Sequence, residues 1–104
     1  MNKPWLAQYP KSVPKTIDPD RYGSIVELYE ECFDRFRLHP MSICMGVTHT
    51  YDDIDKASLA VAAWLQAQGL PQGSVVALMM PNVPQYLPTM IGILRAGYVC
   101  TPVN

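Results

Sequence analysis

The sequence has 104 residues, of which eight are basic and nine acidic, and its formal net charge is −1. This length corresponds to one small domain at most, and the balanced charge excludes a polybasic nucleic-acid-binding protein. Because no apolar run approaches the roughly 18 residues of a membrane span and no secretory signal is present, the sequence predicts a soluble, cytoplasmic protein without a transmembrane segment.

Residues 1–22 are predicted to form an extended arm. Four prolines interrupt this stretch, and each removes a backbone donor and disfavours helical geometry at the preceding residue. The apolar side chains of the arm need another surface to pack on, either the arm's own domain, which we favour, or a partner subunit. The candidate dimer or docking contacts are Trp5, Leu6, Tyr9 and Tyr22.

The first helix should begin at Ser24, which is expected to form a reciprocal capping box with Glu27. Apolar residues then recur at the three- and four-residue spacing of one helical face. The helix should end near Leu38, because Pro40 disfavours helical geometry at the residue before it.

A short β-hairpin is predicted after the first helix. Its strands are Ser42–Cys44 and Val47–Thr50, which flank Met45-Gly46. The prediction depends on the β-branched residues of these segments and on the glycine between them.

A second helix should follow from Thr50, with a capping box to Asp53. Asp52, Asp53 and Asp55 occupy its first turns, where the helix dipole favours anions. Their spacing lacks the glycine and the distal glutamate of a calcium loop, so we expect no metal site. Gly69 should end the helix in the left-handed conformation.

A strand, a helix and a second strand are predicted for the rest of the chain. The strands are Val75–Met80 and Tyr98–Val103, which should be parallel neighbours joined by a right-handed crossover. Asn82 is expected to cap the third helix, and Pro88 should cause a kink or a late start.

The third helix carries a stripe of small residues, Gly92 and Ala96, which should allow close approach to a sheet. The predicted fold class is therefore α/β: an incomplete N-terminal piece of a larger domain, with an extended arm, a short hairpin, three helices and a parallel βαβ unit.

The charged residues are distributed unevenly. Sixteen of the 17 lie in residues 1–56, and Arg95 is the only one after them. A neutral surface of Gln, Ser, Thr and Asn could account for this, but we favour residues 57–104 being the interior of a larger protein. If the Arg95 side chain is buried, its charge needs a partner. We expect Arg95 to cap the C-terminus of its helix. The alternative is a role beside a CoA or nucleotide entrance.

Catalytic and ligand-binding motifs are sparse. The sequence has no phosphate-binding glycine loop and no nucleophile elbow. Cys32, Cys44 and Cys100 fit neither a disulfide framework nor a zinc site and are expected to be buried thiols. His39 and His49 lack metal-ligand spacing. We therefore predict no catalytic, cofactor-binding or metal-binding residue in this chain.

Several segments nevertheless form a recognisable series: Thr50-Tyr51, Val75–Leu78, Met80-Pro81-Asn82, Gln85-Tyr86, Gly92-Ile93-Leu94-Arg95-Ala96-Gly97, Val99 and Pro102-Val103-Asn104. The series resembles the early region of the AMP-forming acyl-CoA synthetases, in the adenylate-forming superfamily. The arm segments Trp5-Leu6, Tyr9-Pro10 and Val13-Pro14 resemble the arm of bacterial long-chain fatty acid CoA ligases. Ser74, Ile54 and Pro88 depart from the family's usual residues.

The resemblance implies a two-domain parent enzyme that converts fatty acid, ATP and CoA to acyl-CoA, AMP and pyrophosphate through an acyl adenylate. ATP, Mg and CoA would be bound outside this chain, which would be an inactive scaffold. Residues 1–22 would form the arm, and residues 23–104 would form the N-terminal α/β portion of the large adenylation domain. Its partners would be the rest of the polypeptide and a second copy bound through the arm. The parent could associate peripherally with the inner face of the membrane. The alternative is an independent interaction or dimerisation module of similar fold.

Overall fold

The computed structural model describes residues 1–104 and contains one short 3-10 helix, three α-helices and four β-strands. In chain order these are the 3-10 helix Pro4–Gln8, α1 Ile25–Phe36, β1 Pro40–Cys44, β2 Val47–Thr50, α2 Tyr51–Ala67, β3 Val75–Leu78, α3 Tyr86–Arg95 and β4 Val99–Pro102. The α/β class, the hairpin and the three helices are thereby confirmed.

The arm is not extended throughout, because Pro4–Gln8 forms a 3-10 helix. Proline suits the first helical position, where its φ is preset and its missing N–H has no intrahelical acceptor. Every backbone hydrogen bond of residues 1–22 joins two residues of the arm, and the 3-10 helix contacts no other helix or strand. Within residues 1–104 the 3-10 helix therefore has no partner element, and packing of the arm on its own domain or on a partner subunit stays a prediction.

The hairpin pairs β1 and β2 antiparallel. Met45 and Gly46 both have positive φ, 49° and 81°, as a two-residue type I′ turn requires. The hairpin is thus confirmed, and its first strand begins at Pro40 with an irregularity between Pro40 and Ser42.

The two predicted capping boxes differ. At α2, the Asp53 amide donates to Thr50 Oγ1 at 3.2 Å and the Thr50 amide donates to Asp53 Oδ2 at 2.9 Å, which completes the box. At α1, the Glu27 amide donates to Ser24 Oγ at 3.1 Å, but the Glu27 carboxylate accepts from the amide of Gly23 at 2.8 Å. Ser24 is therefore confirmed as the N-cap. The predicted hydrogen bond from the Ser24 amide to the Glu27 carboxylate is wrong, because the donor is the amide of the preceding residue, Gly23.

The βαβ unit is confirmed, since β3 and β4 are parallel neighbours. Asn82 does not cap α3; the N-cap is Gln85, whose side chain makes no capping hydrogen bond. The late start places Pro88 in the first turn, where its missing N–H costs no intrahelical hydrogen bond. Of the two predicted effects of Pro88, the structure therefore shows the late start of α3 and not the kink.

The core consists of two clusters of buried apolar side chains. The larger cluster joins α2, α3 and the sheet; its members are Ala62, Leu65, Leu78, Ile93, Ala96 and Tyr98. The smaller cluster, Phe33, Ile54 and Ile91, joins the three helices. Gly92 lies against α2 and not against the sheet, because a Cβ on Gly92 would lie 2.7 Å from Val61 Cβ. Gly92 therefore serves a helix–helix crossing, which corrects the sequence-based expectation for this residue, whereas Ala96 packs in the larger cluster with Leu78 of the sheet.

The chain is unusually open for its mass. Its accessible surface is 7776 Å², whereas a folded monomer of this size exposes about 5,800 Å². Its radius of gyration is 16.8 Å, against about 13 Å for a compact chain of 100 residues. The projecting arm and an uncovered sheet both contribute to the excess. None of the helices combines the length and apolar character needed to cross a bilayer.

The three cysteines are free and only partly buried, so the expectation of buried thiols is too strong. Partial burial raises the pKa of the Cys100 thiol above its ordinary value, because desolvation disfavours the thiolate. A thiol held in its neutral form is a poor nucleophile.

Candidate functional site

One face of the parallel sheet is uncovered. In register, Val75 pairs with Val99 and Ala77 pairs with Thr101, so all four side chains lie on the same face; we call these four residues the open sheet face. Val75 and Val99 are 67% and 48% exposed. The opposite face packs on α2 and α3 through the larger core cluster. Parallel sheets are normally covered on both faces, and this face has no cover within residues 1–104.

A shallow apolar cleft lies where the two strands end. It has a volume of about 320 Å³ and is lined by Met79, Met80, Pro81, Val103 and Asn104. Ligands of open α/β sheets bind beyond the carboxyl ends of strands. This cleft, however, contains no charged group, no general base and no nucleophile. It can bury apolar atoms, but it cannot catalyse a reaction by itself.

The second feature is a cluster around Arg95, the last residue of α3. The Arg95 side chain is only 9% exposed and lies 2.6 Å from Asp55 Oδ1. Its Nη1 donates to Asp55 Oδ1, to the Asp55 carbonyl at 3.2 Å and to Ser58 Oγ at 2.9 Å. Its guanidinium lies 4.9 Å from the centre of the Phe33 ring and 3.7 Å from Glu30 Oε1. We call these five residues the Arg95 cluster.

The Arg95 cluster connects all three helices, because Glu30 and Phe33 lie on α1, Asp55 and Ser58 on α2, and Arg95 on α3. The need for a partner is thus confirmed, whereas the expectation that Arg95 caps its own helix is wrong. Asp55 does more than compensate the helix dipole, since it pairs with a buried cation. A fork of guanidinium donors suits this role, because one side chain can bond several acceptors at once.

The remaining acidic residues of α2 are also engaged. Arg37 bonds Asp52 at 2.6 Å and pairs with Asp34 at 3.2 Å. Hydrogen bonds from Lys56 and then Arg37 lower the pKa of Asp52, and the hydrogen bond from the Thr50 backbone is the main cause that lowers the pKa of Asp53. The structure contains no group of three or more His, Cys, Asp or Glu side chains with metal-binding geometry. The acidic residues here serve to hold helices together.

This arrangement predicts a pH dependence of stability. The pKa of Asp53 is lower in the folded chain than in the unfolded chain, where it is about 3.9, so its contribution is present above that pH and is lost as the pH falls through the folded value. The melting temperature should therefore fall below pH 4. In Asp53→Asn the fall should be smaller, whereas Asp20→Asn, a matched change at an exposed position, should leave the profile unchanged. A profile for Asp53→Asn parallel to that of the parent chain would contradict the assignment.

The sequence-predicted docking residues lie in two places. Trp5 and Leu6 lie within the 3-10 helix and Tyr9 follows it directly; Trp5 and Tyr9 are 50% and 42% exposed. Tyr22 lies away from them next to α1, with the Arg21 guanidinium 5.0 Å from its ring centre. Three of the four residues therefore lie within one short segment, in which Leu6 is half-buried, and Tyr22, which is also half-buried, lies apart from them in the chain.

The histidines have different surroundings. His39 is exposed and its ring lies 5.8 Å from that of Phe36, edge to face. His49 is half-buried and lines an apolar cleft of about 400 Å³ between the hairpin, α2 and the start of α3. His49 lies opposite Ser42 in the hairpin register, but neither imidazole is hydrogen-bonded to a hydroxyl or thiol group of the chain.

Asp55 and Ser58 are the site residues that sequence reasoning missed. They lie 40 and 37 positions from Arg95, so no local pattern connects them. The one usable signal was the isolated charge of Arg95 in an apolar region, which required an acidic partner somewhere in the chain.

Comparisons with known proteins agree on one family. Residues 29–104 match the family model described as AMP-binding enzyme. Over 105 aligned positions that include the whole chain, the sequence is 46% identical to a "Long-chain-fatty-acid--CoA ligase" of Yersinia pestis and 47% identical to the ligase of that name from Salmonella typhimurium. The chain spans 19% of the length of each of these relatives.

A solved structure extends the likeness to the fold. The N-terminal subdomain of Klebsiella oxytoca NpsA superposes with a TM-score of 0.74 at 27% identity, covering 78% of this chain and 21% of that one. The aligned portion is larger than the βαβ unit alone. The match therefore supports the whole arrangement of the three helices around the sheet.

Proposed function

The chain belongs to the AMP-binding enzyme family, and from that premise we propose that it is the N-terminal segment of a long-chain fatty acid CoA ligase. The parent enzyme would activate a fatty acid with ATP to an acyl adenylate and pyrophosphate, and then transfer the acyl group to CoA. We propose a cytoplasmic location for it. Within it, residues 1–104 contribute the first part of the sheet and its supporting helices.

The observation that supports this proposal most strongly is the open sheet face. Four side chains in register, three of them apolar, are exposed on the sheet, and the fatty acid CoA ligases that the chain matches are about five times as long as it is. Burial of such a surface is favourable by about 25 cal/mol for each Å² removed from water. We therefore propose that the rest of the parent polypeptide covers this face and that the segment acts as scaffold.

The residues of this segment do not fit the ligands of the parent reaction. Asp52, Asp53 and Asp55 already bond Lys56, Thr50 and Arg95 respectively, which leaves no set of free carboxylates for Mg. The cleft beyond the strands has no side-chain donor for phosphate apart from Asn104. We therefore propose that ATP, Mg and CoA bind to residues outside this segment.

A chimeric enzyme tests the proposal. In the Salmonella typhimurium ligase, the matching segment is replaced by residues 1–104 of this chain, and formation of palmitoyl-CoA from palmitate, ATP and CoA is measured. We expect a rate within about tenfold of the parent ligase, since a tenfold change corresponds to only about 1.4 kcal/mol of transition-state stabilisation. The 104-residue chain alone should produce no AMP.

Two outcomes would contradict the proposal. One is turnover of palmitate by the 104-residue chain alone. The other is a chimera that folds, as shown by a single melting transition at the temperature of the parent ligase, but lacks activity. The second result would favour the alternative of an independent interaction or dimerisation module. Homodimer formation through the arm stays a prediction, which a comparison of the mass in solution of the 104-residue chain and of Trp5→Ala/Tyr9→Ala tests.

A further inference from the structure

We draw no further inference here: the strongest candidate, the apolar cleft of about 400 Å³ between the hairpin, α2 and the start of α3 that Cys44, His49 and Asp53 help to line, is an unpartnered surface of a chain that spans 19% of the length of its relatives, and nothing in the structure shows what covers it.

Discussion

Replacement of Arg95 by methionine should lower the free energy of unfolding of the chain by about 3 kcal/mol, the cost that typically follows when one partner of a buried ion pair is removed. The side chains of Arg95 and Asp55 are 9% and 13% exposed, so water cannot replace the lost donors fully. Ser58, which is fully buried, loses a donor as well. Urea denaturation followed by circular dichroism measures the change.

A double-mutant cycle separates the ion pair from simple packing. Asp55→Leu should also destabilise the chain, because it leaves Arg95 without its main acceptor. The double variant Arg95→Met/Asp55→Leu should lose clearly less than the sum of the two single changes, since no unpaired charge remains. Additive losses, or a loss below about 0.5 kcal/mol for Arg95→Met as is usual at surface positions, would show that the cluster does not hold the helices together.

Replacement of Gly92 by alanine should cost about 2 kcal/mol, within the range of overpacked cores. The added Cβ would lie 2.7 Å from Val61 Cβ and Cγ1 and 2.8 Å from the Ser58 carbonyl oxygen. One of these obstacles is backbone, so α3 must move away from α2. The shift would also lengthen the bonds from Arg95 to α2, because both contacts lie on the same pair of helices. The measurement is again the midpoint of urea denaturation.

Two variants identify the cause of the Gly92 effect. In a Val61→Ala background, Gly92→Ala should lower the free energy of unfolding by a smaller amount. Some loss should remain, because the Ser58 carbonyl stays in place. Gly69→Ala is the control for a cost that comes from left-handed backbone alone. Gly69 has a φ of 70°, and no atom lies within 4 Å of a Cβ added to it. The substitution should therefore cost about 1 kcal/mol, and this cost is conformational. Equal loss from Gly92→Ala in both Val61 backgrounds would exclude the clash with Val61.

Features encoded within a few residues could be predicted from the sequence. Thr50 and Asp53 form the expected capping box because both partners lie within one turn. Gly69 and Gly97 take positive φ at the ends of α2 and α3, where a helix ends most easily with a residue that lacks Cβ. The parallel strands followed from their spacing around one helix.

Features that depend on distant residues could not be predicted. The Asp55–Arg95 pair joins positions 40 apart, and the sequence gives Asp55 an equally good local reason to be acidic, the helix dipole. Gly92 was expected to face a sheet, and only the placement of α2 shows that it faces Val61. The start of α3 was ambiguous, because Asn82 favours an early start and Pro88 favours a late one. An early start would lose a backbone hydrogen bond at Pro88, so the helix starts late.

The family motifs of this segment are likewise local sequence features, and their roles in the fold are structural. The motifs around α3 are family features, yet they do not form a catalytic site in the fold: Gly92 allows the helix crossing, Arg95 binds α2, and Gly97 ends α3. A family resemblance in this segment therefore indicates ancestry and architecture. Under the proposed function, the chemistry of the family comes from residues outside this segment.

Hydrogen exchange of the sheet tests the central claim most directly, namely that further polypeptide covers the open sheet face. Exchange rates are measured for the amides of Val75–Leu78 and Val99–Pro102 in the 104-residue chain and in the chimeric ligase. Our account predicts that these amides exchange at least about a hundredfold more slowly in the chimera, the change expected when a locally opening segment becomes part of a covered core. Equal protection in the isolated chain and the chimera would show that the sheet is complete without the parent, and would contradict the account.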